Sequence, residues 1–107
     1  MRRSDGLHIL YENIPQVEKQ AVGRRIEALM KNTDIRPSDI AQLMHISVQA
    51  VAKWTNGITI PDLQHLVEVS YIFDTSVDYL LIGDVPEEEK SEVHQRLWQT
   101  LSQSEIQ

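Results

Sequence analysis

Ile35-Arg36-Pro37-Ser38-Asp39-Ile40-Ala41-Gln42-Leu43-Met44-His45-Ile46-Ser47-Val48-Gln49-Ala50-Val51-Ala52-Lys53-Trp54-Thr55-Asn56-Gly57 is the stretch on which the reading of this chain turns. Two short amphipathic segments flank a tight break at His45-Ile46-Ser47. Pro37 suits the first position of a helix, where its missing N–H would be unpaired anyway, and it pushes Arg36 toward the extended conformation of a cap. Arg36 brings no capping oxygen, so this start is weaker than one on serine or threonine. Ile40, Ala41 and Met44 are the expected buried face of that helix. Ser47 is placed to cap a second helix over 48–55. Asn56-Gly57 is expected to end it, since both residues tolerate left-handed backbone angles.

Two short helices set at an angle by such a turn form a helix-turn-helix, whose second helix is shaped to lie in a DNA major groove. Working outward, Val22, Ile26, Leu29 and Met30 repeat with helical period and predict a first helix from about Pro15 to Lys31. Pro61 is expected to open a fourth helix with Asp62 in its first turn, and Leu63, Leu66, Val67, Ser70 and Phe73 tracking inward. Ser76 caps a fifth over 77–82, closed by Gly83. Pro86-Glu87-Glu88-Glu89 begins a sixth, with carboxylates on the positive end of the dipole and Val93, Leu97 and Leu101 along one edge beside Trp98. The expected architecture is all-α. An extension or arm spans 1–16, a five-helix domain 17–84, and a C-terminal helix 85–107. Leu7 to Tyr11 is left open between a strand, a helical turn and an arm.

At 107 residues, 41% of them apolar and 24% charged, the chain holds one domain with a modest core. It has no cysteine, which excludes disulfides and thiolate metal sites. Arg2-Arg3 precedes an apolar run too short for a signal core, and no run reaches the ~20 residues of a membrane span, so a cytoplasmic protein is expected. The net charge of −6 is unevenly spread: residues 1–61 carry eight Lys/Arg against six Asp/Glu, and residues 62–107 carry two against ten. A near-neutral head on an acidic body still permits a polyanion to be met one way round.

The chain resembles the phage repressor/Cro-like (XRE-like, lambda-repressor-like) helix-turn-helix family. The resemblance rests on Ile40-Ala41, Ile46-Ser47, Gln49, Val51, Lys53-Trp54 and Asn56-Gly57. Downstream it continues through Pro61-Asp62-Leu63, Leu66, Ser76-Val77-Asp78-Tyr79-Leu80-Leu81 and Gly83-Asp84, covering roughly 22–84. The chain departs from the family at Arg36-Pro37, where Thr-Gln is commoner, and at His45, where glycine is usual and a left-handed backbone is expected, at a modest cost for histidine. Met30 and Thr55 replace an Arg and a Glu that often pair, and losing both together strands no charge.

The resemblance implies a homodimeric transcriptional regulator that reads a palindromic double-stranded DNA site. Val48, Gln49 and Lys53 then fall where the family touches bases. Their chemistry fits: a thymine methyl for valine, an adenine edge for glutamine, a guanine or a phosphate for lysine. Arg36, Ser38, Ser47, Asn56 and Thr59 are the candidate phosphate contacts. Trp54 is expected in the core, and Ser47 is in the first place a cap. The alternative is a protein-interaction module on the same scaffold, an antitoxin, adaptor or anti-repressor, with weak or no DNA binding. His8, His45, His65 and His94 show no ligand spacing, and no nucleophile or phosphate-cradling motif occurs. No enzyme, metal, cofactor or small-molecule ligand is expected.

Overall fold

The computed structural model describes residues 11–105, so the arm expected over the first ten residues lies outside the described part. Within it are six helices: α1 Lys19–Thr33, α2 Pro37–Met44, α3 Val48–Thr55, α4 Leu63–Ile72, α5 Val77–Ile82 and α6 Glu87–Glu105. Val17–Asp84, holding α1 to α5, is one compact unit; the described residues on either side of it form another. Among the described residues no helix is long and apolar enough to cross a membrane.

The core of the five-helix unit takes a stripe from each helix. α1 contributes Val22, Ile26 and Met30, and α2 contributes Ile40 and Ala41. Val51 and Trp54 come from α3, Leu66, Val69 and Phe73 from α4, and Leu80 from α5. Trp54 is buried as expected, with its ring against His65 at a centroid distance of 5.9 Å. Ser70 is the buried polar residue, and its hydroxyl donates to the Val67 carbonyl at 2.6 Å.

Helices of six to ten residues are too short to persist alone, so their ends matter. The Ser47 Oγ accepts from the Ala50 amide at 3.1 Å, and the Ser76 Oγ from the Tyr79 amide at 2.9 Å, as the sequence predicts. α1, α2, α3 and α4 end alike. In each, a left-handed residue turns the chain and the next amide reaches five residues back: Ile35 to Met30, Ile46 to Ala41, Ile58 to Lys53 and Thr75 to Ser70. The left-handed residues are Asp34, His45, Gly57 and Asp74. This is the Schellman closure, normally made on glycine. His45 has φ 55° and ψ 44°, the conformation that its place in the sequence demanded.

Four expectations need correction. α1 starts at Lys19 and not near Pro15, because its first buried residue is Val22 and Val17 faces solvent. Asn56 has φ −88°, so Gly57 alone makes the left-handed turn after α3. Pro61 is fully buried but lies outside α4; Asp62 is the cap, accepting from the His65 amide at 2.9 Å. Leu63 and Val67 point outward, at 82% and 44% exposure, because Leu66, Val69, Ser70 and Phe73 set the inward row.

Two contacts fix α1 on the bundle. A Cβ built on Gly23 would run into the carbonyl oxygen of Trp54 and lie 3.1 Å from that of Thr55, so backbone meets backbone where α1 crosses the end of α3. Further along α1, the Arg25 guanidinium donates to the Leu80 carbonyl at 3.2 Å, satisfying an open end of α5.

Gly23→Ala should therefore destabilise by ~1–3 kcal/mol through overpacking, more than offsetting the ~1 kcal/mol gain in helix propensity. Urea denaturation checks it, and a neutral or stabilised variant would show that α1 does not approach α3 so closely. His45→Gly should act oppositely. Relief of a left-handed cost of ~1–2 kcal/mol exceeds the ~0.4–1 kcal/mol of extra chain entropy, and the melting temperature should rise by a few degrees.

Candidate nucleic-acid interface

With Val51 and Trp54 in the core, the opposite flank of α3 must face solvent. It presents Val48, Gln49, Lys53 and Asn56 exposed, with Ala52 half-buried among them, at i, i+1, i+4, i+5 and i+8. This row is one continuous strip along the helix. Neither the Gln49 amide nor the Lys53 ammonium has a hydrogen bond or ion pair among the described residues, so both are free to meet a ligand. The three expected base-reading residues thus share one face. Ala52 extends that face with a methyl group; its place was implicit in the spacing from Val48.

The N-terminal end of α3 is open to an anion. Ser47 takes the Ala50 amide, while those of Val48 and Gln49 have no acceptor among the described residues. The start of α2 repeats this in part: Pro37 has no N–H and the Ser38 amide is unpaired among the described residues. Both ends direct partial positive charge outward.

Arg36 is the cap residue of α2 and is exposed, but it has a neighbour that the sequence reading left out. The Asp39 carboxylate accepts from the Arg36 amide at 2.9 Å and lies 3.6 Å from Nε of the Arg36 guanidinium. Asp39 thus pairs the cap residue's own amide, the reach-back half of a capping box, and leaves the Ser38 amide open. Its position three residues after the cap was the available signal. The ion pair is exposed on both sides, so it is worth ~0–1 kcal/mol and holds the guanidinium only loosely.

Asn56 and Thr59 follow α3 and are exposed, yet their backbone amides are already used, donating to Ala52 at 2.9 Å and to Lys53 at 3.3 Å. Only their side chains remain available. The loop they frame, Gly57-Ile58-Thr59-Ile60, holds no cation, and Ile58 is 58% exposed. The Cβ of any larger residue at Gly57 would fall 2.9 Å from Cγ of Gln20, so this loop is held under the start of α1. No group of three metal-ligating side chains occurs among the described residues.

A family profile described as Helix-turn-helix matches residues 26–80, about half of the chain. Repressor protein C2 of Salmonella phage P22 is 33% identical over 66 residues. That match takes in 62% of this chain and 31% of the relative, so the chain spans about a third of the length of the curated relative it matches. Among solved structures the chain is similar to the P22 c2 repressor protein in complex with synthetic operator 9T in the presence of Tl+. The identity there is 34% and the TM-score 0.57, over 61% of this chain and 98% of that one.

Because Ser47 holds the first turn on which Val48 and Gln49 sit, Ser47→Ala should cost ~1 kcal/mol. Hydrogen exchange of the Ala50 amide should accelerate while the amides of α1 keep their protection. Unchanged exchange at Ala50 would mean that the cap does not hold this turn.

Proposed function

Since the chain belongs to the helix-turn-helix family, we propose that it is a sequence-specific DNA-binding transcriptional repressor. It binds double-stranded DNA, acts as a homodimer and is not an enzyme. The observation that carries this reading is the likeness, at 34% identity, to a repressor in complex with its operator, joined to a strip on α3 that this chain leaves without internal partners. The interaction-module alternative has no comparable support at this strip.

In the proposed complex α3 enters the major groove. Gln49 pairs with an adenine edge, Val48 packs on a thymine methyl, and Lys53 reaches a guanine or a neighbouring phosphate. Arg36, Ser38 and the free Ser38 amide at the start of α2 hold a phosphate, with Ser47, Asn56 and Thr59 as further backbone contacts. A phosphate competes well for Arg36, because the exposed pair with Asp39 is weak. Two copies would set their α3 helices ~34–36 Å apart, one duplex turn, on a palindromic site.

The second copy is held by residues outside the five-helix unit, through α6, the N-terminal arm or both. Val93 and Leu97 lie half-buried along α6, and Trp98 is 64% exposed with its ring stacked on His94. A chain of net charge −6 with two cations at its reading head should bind DNA with a shallow salt dependence. Arg36 and Lys53, about four cationic phosphate contacts per dimer, correspond to a slope near −3 to −4 in log affinity against log salt.

Gln49→Ala and Arg36→Ala separate base reading from phosphate anchoring. The first should cost about 1–3 kcal/mol on the preferred site and relax preference at one base pair per half-site. The second should weaken all sequences alike and reduce the salt slope by about one per subunit. Binding to selected and scrambled duplex at several salt concentrations reads both. If neither variant differs from the parent, the strip is not the reading surface.

A further inference from the structure

We propose that the groove between α2 and α4 is a docking site for an amphipathic helix of another protein, with an apolar stripe flanked by lysine or arginine. α4 is apolar on two sides. Leu66, Val69 and Phe73 face the core, while Leu63, Val67 and Tyr71, at i, i+4 and i+8, lie outside at 82%, 44% and 84% exposure. A surface helix ordinarily presents polar residues there. Leu43, at the end of α2 and 62% exposed, stands across from Val67 and Tyr71. Together with Met44, His45 and Ile72 they enclose an open groove of about 350 Å³. A trough of this kind accepts side chains spaced at i, i+4 and i+7 on an incoming helix.

Charge selects the occupant. Residues 62–84 carry five carboxylates, on Asp62, Glu68, Asp74, Asp78 and Asp84, and no lysine or arginine. Glu68 lines the groove itself, half-buried, and among the described residues its carboxylate is met only by the Gln64 side-chain amide at 3.1 Å. A second copy docked face to face would bring two such carboxylates together, and like charges across an interface are disfavoured. A cationic flank beside an apolar stripe satisfies both features. The groove opens at the C-terminal end of α2, about 10 Å along the helix from Arg36 and Ser38, while His45 in its lining stands two residues before Ser47, a further proposed phosphate contact. The proposal does not rest on the DNA reading.

The probe is a labelled synthetic peptide of about 18 residues, long enough to form a helix, with leucines at helical spacing and lysines on either side. A twin carries glutamate for lysine, and binding to the full chain is followed by fluorescence anisotropy. The lysine peptide should bind at micromolar concentration and the glutamate twin about tenfold or more weakly. Tyr71→Ser and Leu43→Ser should each lower lysine-peptide affinity by about tenfold. Glu68→Lys should move preference toward the glutamate twin. All three residues lie outside the core, so thermal melts should match the parent, and affinity for DNA should match it in the uncharged variants Tyr71→Ser and Leu43→Ser. The proposal is overturned if the lysine peptide does not bind, or binds as well to Tyr71→Ser and Leu43→Ser as to the parent. It is also overturned if sedimentation shows self-association that Tyr71→Ser abolishes, which would make a second copy the occupant.

Discussion

The rest of the five-helix unit depends on the approach of α1 to the end of α3 at Gly23. A side chain there would collide with the Trp54 carbonyl, so the two backbones come closer than any other residue would allow. This crossing sets the rotation of α3 about its own axis. Val51 and Trp54 are turned into the core, and the strip from Val48 to Asn56 is turned out. It also brings Gln20 over Gly57, which holds the exit from α3. A glycine inside a helix costs about 1 kcal/mol relative to alanine, and here that cost is offset by the packing it permits.

Around that crossing, short helices are kept in place by how they end. Asp34, His45, Gly57 and Asp74 each take the left-handed conformation, and three of them do so with a side chain that makes it unfavourable. Asp and His tolerate it better than most residues, which explains their presence where glycine would be easiest. At His45 the closure sets the angle between α2 and α3. Local strain at one residue thereby fixes the relation between α2 and the exposed strip of α3.

The unit turns two unlike surfaces to solvent. One is polar, sparsely cationic and built on α3 and the start of α2. The other is apolar, edged by carboxylate, and built on α4 and the end of α2. The sparse cations suit recognition that depends on close fit to base edges more than on general attraction to phosphate. The segment 62–84, with five carboxylates and no lysine or arginine, would repel a polyanion, which suits the proposal that DNA is met on the α3 side.

Much of this fold was legible in the residues. The bounds of α3 and α5, the caps at Ser47 and Ser76, the left-handed turn at His45 and the burial of Trp54 all follow from interactions within one or two helical turns. Such interactions depend on spacing alone, and the Val48–Gln49–Lys53 face follows once Val51 and Trp54 are turned inward. The outward turn of Leu63 and Val67, the close approach at Gly23, the hold of Arg25 on Leu80 and the late start of α1 were not legible in the same way. An amphipathic pattern permits several rotations of a helix about its axis and several places to begin it. The choice among them is made by contacts between residues far apart in the chain, as the Trp54 carbonyl admits only glycine at 23 and the Leu80 carbonyl takes the Arg25 guanidinium. The local order of this protein was determined by its sequence read in short windows; which apolar residues remained outside, and so where the second surface lies, was decided only when the helices packed.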